Sequence, residues 1–261
     1  MLKISNLHVH FDLDGTIVKA LCGVTLGVNL KETLVVAGES GSGKTVTALA
    51  VTRLLPAAAR VTSGEIYFNG KNLLLLEEDA LRKVRGKEIA YIFQEPGSFL
   101  NPVYMVGDQI MESFLLHQGL PRVEAFAETL RLLELVKIKD SRRVFFNYPH
   151  QLSGGMNQRV GIAMSLACRP KLLIADEPTT ALDVTTETQI LDLLCELKSS
   201  FGFSLLFITH NLSIARRIAD RICVMYKGQV VEEADAERIF CSPQHFHTKE
   251  LIHAYQTIGT Q

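Results

Sequence analysis

The sequence has no C-x-x-C pair. Its five cysteines, Cys22, Cys168, Cys195, Cys223 and Cys241, are scattered along the chain. Scattered thiols argue against a disulfide frame or a zinc site and for reduced thiols in a cytosolic protein. No apolar run approaches the ~20 residues that a membrane-crossing helix needs, so the chain is not expected to cross a membrane by itself. Met1-Leu2-Lys3-Ile4 alternates and soon reaches His8 and His10, without the apolar centre of a signal peptide. Neither sign of charge dominates, and the formal net charge is -1. Such a balance points to neither nucleic acid nor an anionic membrane surface as a partner. Internal repeats and low-complexity linkers are lacking as well. What is present is a large apolar fraction, 47% of 261 residues. That supports a sizeable core without covalent staples, as one large α/β domain or one domain with an inserted subdomain.

The most informative stretch is Gly38-Glu39-Ser40-Gly41-Ser42-Gly43-Lys44-Thr45. It follows the apolar run Leu34-Val35-Val36-Ala37 and precedes Val46-Thr47-Ala48-Leu49-Ala50. Strand, glycine-rich turn and helix start are the context that the phosphate-binding pattern G-x-x-x-x-G-K-[ST] requires. A polyphosphate must lie against bare backbone N–H groups, which excludes bulky side chains at Gly38, Gly41 and Gly43. The helix begun at Lys44 aims its positive end at the anion. Lys44 would reach the β- and γ-phosphates, and the Thr45 hydroxyl would ligate Mg²⁺.

Taken in order, residues 2–9 and 24–37 read as strands, with a turn at Asp12-Leu13-Asp14-Gly15. Phe11 precedes that turn. A lone aromatic is ordinarily core, but if this loop folds over a nucleotide, Phe11 is the candidate to stack on adenine. Residues 46–55 read as a helix ended near Pro56, 63–70 as a strand closing in an Asn-Gly turn, and 76–84 as a short helix. Ile89 to Phe93 is a buried strand ending in Gln94, at the edge where open α/β sheets hold ligands. From 97 to about 150 the period is helical, in Met111 to Leu116 and Val123 to Val136, with no strand signal between them. That reads as a helical insertion. Ser153 can cap a helix that starts with Gly154 and Gly155 and runs to Cys168. Lys171 to Ala175 is an apolar strand ending in the carboxylates Asp176 and Glu177, which suit Mg²⁺ and water activation. Asp183 closes a tight acidic turn before an amphipathic helix over 186–198. Ser204 to Thr209 is a further core strand, ending in His210. A hairpin turns on Lys227-Gly228. The tail carries Cys241, His245, His247 and His253, a weak pattern for metal.

GESGSGKT, the glutamine of YIFQEP, LSGGMNQR, LLIADEP, TALD and FITH together resemble the ATP-binding subunit of an ABC transporter, over nearly the whole chain. Ser98-Phe99-Leu100-Asn101-Pro102 and Tyr148-Pro149-His150-Gln151-Leu152-Ser153-Gly154-Gly155 resemble the dipeptide, oligopeptide and nickel import group in particular. The resemblance implies an α/β P-loop ATPase core of the ABC type, with an N-terminal antiparallel β part and an inserted helical subdomain. It places the N-terminal part of the core at 1–96, the helical subdomain at 97–152, the rest of the core at 153–240 and a short tail at 241–261. ATP and Mg²⁺ are the implied ligands. Gly38, Glu39, Ser40, Gly41, Ser42, Gly43, Lys44 and Thr45 would be the Walker A loop, and Gln94 the Q-loop glutamine, catalytic and near the metal with Thr45. Asp176 would be the Walker B carboxylate on Mg²⁺, Glu177 the catalytic base, and His210 the switch histidine. Asp183 would sit in the D-loop. Ser153, Gly154 and Gly155 would be the signature motif, facing the γ-phosphate bound by a partner subunit.

The implied partners are a second, related ATPase, two transmembrane permeases and an extracytoplasmic substrate-binding protein, with the chain at the cytoplasmic face of the membrane. Met156 stands where Gln is common in the signature, but the Ser-Gly-Gly core is intact. The chain stops soon after Phe240 to Thr248, without the cysteine-containing extension of longer relatives, so no iron–sulfur cluster is expected. The short tail leans slightly toward the nickel or metal-chelate relatives, and the implied cargo is peptides or nickel and metal chelates. Rival readings are an accessory ATPase of a carbon–phosphorus lyase system and a non-transport ABC ATPase acting on DNA or ribosomes. The neutral charge disfavours the last.

Overall fold

The structure, a computed structural model, describes residues 1–94, 99–180 and 182–258. Glu95, Pro96 and Ser98 of the motifs, the expected boundary at 96/97, and Ala181 lie outside the described residues. The chain forms two compact units, Met1–Leu81 with Ser204–Gln261, and Arg82–Phe203.

The first unit contains an antiparallel sheet in the order β2-β1-β4-β5, made of Leu2–Leu13, Thr16–Val28, Ala59–Phe68 and Lys71–Asn72 as β1, β2, β4 and β5. β1 and β2 turn on Asp14 and Gly15, both at positive φ (51° and 86°), the geometry that a two-residue hairpin favours. The Gly15 N–H is held by Asp12 Oδ1 at 3.0 Å. The sequence suggests one alternating strand over residues 2–9, but the apolar parity changes inside it. Leu2 and Ile4 are buried, and so are Leu7 and Val9. A bulge at Asn6, with φ 47°, absorbs the odd residue, so both pairs face the core. β2 shifts at the same level, where Gly23 has φ 89°. On the other side of β1, Gly64 lies against the bulge: a Cβ there would sit 2.6 Å from Asn6 O and 2.6 Å from Leu7 Cα, and φ is 104°.

Gly64→Ala is therefore expected to lower stability by more than about 1 kcal/mol. Gly70→Ala should cost less, because φ is +81° there but nothing lies within 4 Å. Urea midpoints at unchanged m-value would show the difference, and equal midpoints for the two variants would mean that the bulge yields.

The same unit holds a largely parallel group of strands. β3 (Thr33–Ala37) lies between β8 (Ser204–Thr209) and β9 (Arg221–Tyr226), parallel to both, and β10 (Gln229–Asp235) pairs antiparallel to β9. Every residue of β3 and β8 is buried, as expected for near-continuous apolar runs with both faces covered. The apolar stretch expected over 24–37 is broken between Val28 and Thr33, where Lys31 turns at φ 60°. The helix after β3 is Lys44–Val51, shorter than the expected 46–55 at its far end because Arg53 turns at φ 53° before Pro56 is reached.

In the second unit β6 (Ile89–Ile92) and β7 (Leu172–Asp176) pair in parallel, Tyr91 opposite Ile174. Around them lie the helices Val106–Ser113, Arg122–Leu135, Ser141–Phe145, Gly154–Leu166 and Val184–Phe201. A π-helical turn at Phe114–Gln118 extends the first of these and stops at Gly119, in the left-handed region at φ 66°. Two glycines let helices close on aromatic rings. A Cβ on Gly107 would meet the Phe145 ring at 2.2 Å, and one on Gly161 the Phe99 ring at 2.3 Å.

Candidate functional site

In the first unit, the end of β3 leads into the loop Gly38–Gly43 and then the helix at Lys44. The sequence reading attributes its glycines to phosphate contact, but the structure gives each a reason within the chain. A Cβ on Gly38 would lie 2.3 Å from the Met225 carbonyl oxygen, and one on Gly43 would lie 2.7 Å from Leu21 Cδ2 and 3.0 Å from Ala20 O. Gly41 has open space around it and is required by its φ of +79°. The loop is tied from behind, since the Gly228 N–H donates to Ser42 O at 3.0 Å and the Cys22 N–H to Gly228 O at 2.8 Å.

Lys44 is 5% exposed, and its Nζ donates to Gly38 O and Glu39 O, both at 2.8 Å. A buried ammonium needs such acceptors, and these two hold it inside the curve of the loop. Thr45 is exposed at the start of the helix, beside exposed Glu39, Ser40 and Gly41. Ser42 Oγ is buried without a hydrogen-bond partner, a polar atom inside the loop that the protein itself does not satisfy. His210 is exposed directly after buried Thr209, and Asn211 caps the next helix by accepting the Ser213 N–H at 2.9 Å. Phe11 is placed in β1, an inner strand of the antiparallel sheet, opposite Val18 on one side and Ala59 on the other, and is half-exposed.

In the second unit, Asp176 ends the buried strand β7 and is 3% exposed. Tyr91 Oη donates to Asp176 Oδ2 at 2.8 Å. Burial, and then the Asp176 carboxylate, push the Tyr91 hydroxyl far up, so it remains a donor. Glu177 has φ 44°, a left-handed conformation costly for a residue with a side chain and typical of functional sites. Its Oε2 accepts from Gln94 Nε2 at 3.3 Å and from Thr180 Oγ1 at 3.0 Å, while the Thr180 N–H bonds Glu177 O at 3.2 Å. Gln94, Asp176 and Glu177 are thus brought into one cluster. Tyr91 and Thr180 belong to it too, and sequence reasoning missed them. The available signal was a phenol in an otherwise aliphatic buried strand, because a buried tyrosine tip needs a partner.

Ser153 caps the helix Gly154–Leu166 as expected, its Oγ accepting the Met156 N–H at 3.3 Å. A Cβ on Gly155 would strike Thr186 Cγ2 at 2.6 Å, whereas one on Gly154 would meet only Leu182 Cδ2 at 3.7 Å. Asp183 is the N-cap of the helix Val184–Phe201: Oδ1 accepts the Thr186 N–H at 2.9 Å and Oδ2 the Thr186 hydroxyl at 2.7 Å. Those two bonds hold the Asp183 carboxyl below the usual carboxylate range. Among the described residues no group of three or more His, Cys, Asp or Glu could hold a metal ion. In the tail, His247 is buried with its ring 3.9 Å from that of Tyr226, and its backbone N–H donates to His245 Nδ1 at 3.2 Å.

Comparison with known proteins bears on both units. Residues 21–180 match the family described as ABC transporter. GsiA of Salmonella typhimurium, named a glutathione import ATP-binding protein, is 48% identical over 265 residues, covering 99% of this chain and 42% of that protein. The chain therefore spans less than half the length of that relative. An ATP-binding protein of Sinorhizobium fredii, named for a peptide ABC transporter, is 47% identical over 255 residues, 97% of this chain and 76% of that protein. Among solved structures, a dimeric post-hydrolysis state of the ATP-binding cassette MJ0796 bound to ADP and Pi matches with a TM-score of 0.81 at 29% identity. It covers 90% of this chain and 99% of that one. The fold is accordingly that of ATP-binding cassettes, and by the family match and these relatives the chain belongs to the ABC transporter family.

Proposed function

We propose that this chain is the ATP-hydrolysing subunit of an importer whose membrane-spanning parts are separate chains, and that its cargo is peptides or peptide-like molecules. The observation that carries this reading is the phosphate loop, held in shape by the chain's own packing with a lysine and a hydroxyl at the helix start. The substrate is ATP. The N–H groups of 38–45 and the Lys44 ammonium bind its phosphates, and Phe11 stacks on its adenine. The residues also fit Mg²⁺, since Thr45 is an exposed hydroxyl and Asp176 a carboxylate at a rigid strand end, both hard oxygen donors. Gln94 is the third candidate ligand. Bound Mg²⁺ supplies charge neutralisation at the phosphates. Glu177 takes the proton of the attacking water, and His210 supports that step.

Ser153, Gly154 and Gly155 serve a second copy's nucleotide, or that of a related ATPase. The glycine at 154 is not demanded by this chain's own packing, which supports close approach by a partner there. No helix among the described residues is long and apolar enough to cross a membrane. Two permeases and an extracytoplasmic binding protein complete the proposed assembly, which puts the chain at the cytoplasmic face. The names of the relatives favour peptides or glutathione over nickel or a metal chelate as cargo.

The helical subdomain after Gln94, read as 97–152 within a core of 1–96 and 153–240 and ahead of a tail from 241, is the coupling surface. Val103, Tyr104 and Leu116 are 73%, 58% and 72% exposed there, large apolar side chains left uncovered among the described residues. Their replacement by polar residues is expected to abolish uptake in cells while the isolated chain keeps its ATPase rate. Permeases should co-isolate with the unaltered chain from host membranes and be lost from the variants. Uptake and co-isolation that survive all three replacements would place the coupling surface elsewhere. An unaltered chain that hydrolyses ATP but co-isolates with no membrane protein would remove the importer reading.

A further inference from the structure

Tyr91 and Asp176 are joined across two strands. In the parallel register Tyr91 stands opposite Ile174, so Asp176 lies on the same face, one pleat further on. The phenol spans that diagonal. The hydroxyl meets Asp176 Oδ2 at 2.8 Å. The ring is held as well, because Phe93, two residues on, lies with its centroid 4.4 Å away, and Phe99 packs 6.3 Å beyond Phe93. A rigid aromatic row therefore ends in one donor aimed at one oxygen of a carboxylate that is 3% exposed.

We propose that Tyr91 is a positioning residue for the metal. It binds Asp176 Oδ2, fixes the carboxylate's rotamer and so sets the direction in which Asp176 meets Mg²⁺. The proposal rests on the reading of Asp176 as the metal's carboxylate. Partners of this kind orient a ligand without touching the metal, and their loss typically costs about 10–100-fold in metal affinity or activity. A tyrosine that merely satisfies a buried polar atom would act on stability alone.

The test is Mn²⁺ binding, read from free Mn²⁺ by electron paramagnetic resonance, to the full chain saturated with a non-hydrolysable ATP analogue. Tyr91→Phe should weaken Mn²⁺ binding by about 10–100-fold and leave the affinity for the metal-free analogue unchanged. Phe93→Leu, which keeps the hydroxyl but removes the ring beside it, should weaken Mn²⁺ binding by a smaller factor. It also keeps the proposal testable if Tyr91→Phe does not fold. Asp176→Asn separates the two readings. If Asp176→Asn loses Mn²⁺ while Tyr91→Phe and Phe93→Leu bind it at the unaltered affinity, the role of Tyr91 falls alone. If Asp176→Asn also binds Mn²⁺ unchanged, the metal reading of Asp176 falls and takes this one with it.

Discussion

Glu177→Gln is expected to hydrolyse ATP ~10²–10⁴-fold more slowly than the unaltered chain while binding it as well. Glu177 follows Asp176 at the end of a fully buried strand, in a left-handed backbone conformation that leaves its side chain little choice of direction. Gln94 and Thr180 both donate to Oε2, which holds the carboxylate still. An amide fills nearly the same volume and its oxygen can accept both bonds, so the local structure should persist. Basicity is what is lost, and general-base chemistry depends on it. Binding should survive because the phosphates are assigned to residues 38–45. The variant should therefore collect as an ATP-bound dimer with its partner. Size-exclusion chromatography in ATP and Mg²⁺, run beside a turnover assay, would show both effects. Hydrolysis near the unaltered rate would assign the base to another residue.

Lys44→Ala should weaken ATP binding by about 10- to 100-fold, the worth of one charge-assisted hydrogen bond. The ammonium is held by the carbonyls of Gly38 and Glu39, inside a loop whose shape comes from contacts with Met225, Leu21 and Ala20. Removing it deletes the positive charge from a preorganised cradle. It also leaves those two carbonyls without this donor, so the unfolding temperature without nucleotide should be recorded alongside. Nucleotide affinity at fixed Mg²⁺, by titration calorimetry, decides the matter. A value within about twofold of the unaltered chain would remove this loop as the phosphate site.

Much of this arrangement was legible because punctuation and period agree. The run Leu34 to Ala37 followed by three glycines, the Ser153 cap and the apolar run ending in Asp176-Glu177 each carry a local signal that no packing overrides. The helix expected from 186 starts at Val184 because Asp183, read as a turn residue, is also its N-cap. Other features needed register. Nothing in the order of residues says that Tyr91 lies one pleat from Asp176, or that Thr180 bends back onto Glu177. The bulge at Asn6 was half-legible: the parity change from Leu2 and Ile4 to Leu7 and Val9 is in the sequence, while the glycine that accommodates it, Gly64, is on another strand. The π-helical turn at Phe114–Gln118 left no mark in apolar spacing, since one extra residue in a single turn resembles an ordinary helix end.

The hydrogen bonds that run from Cys22 through Gly228 to Ser42, and the Met225 carbonyl against Gly38, have a thermodynamic consequence. Ordering a loop costs about 1–2 kcal/mol of conformational entropy per residue. Here the β9–β10 turn and β2 impose that order as the chain folds, before any nucleotide arrives. The cost is met once per molecule rather than once per round of nucleotide exchange. Affinity for the phosphates then carries less of the cost of ordering the loop. A lesion in the Lys227-Gly228 turn would return the ordering cost to the binding step, and it would appear as a less favourable binding entropy at nearly unchanged enthalpy.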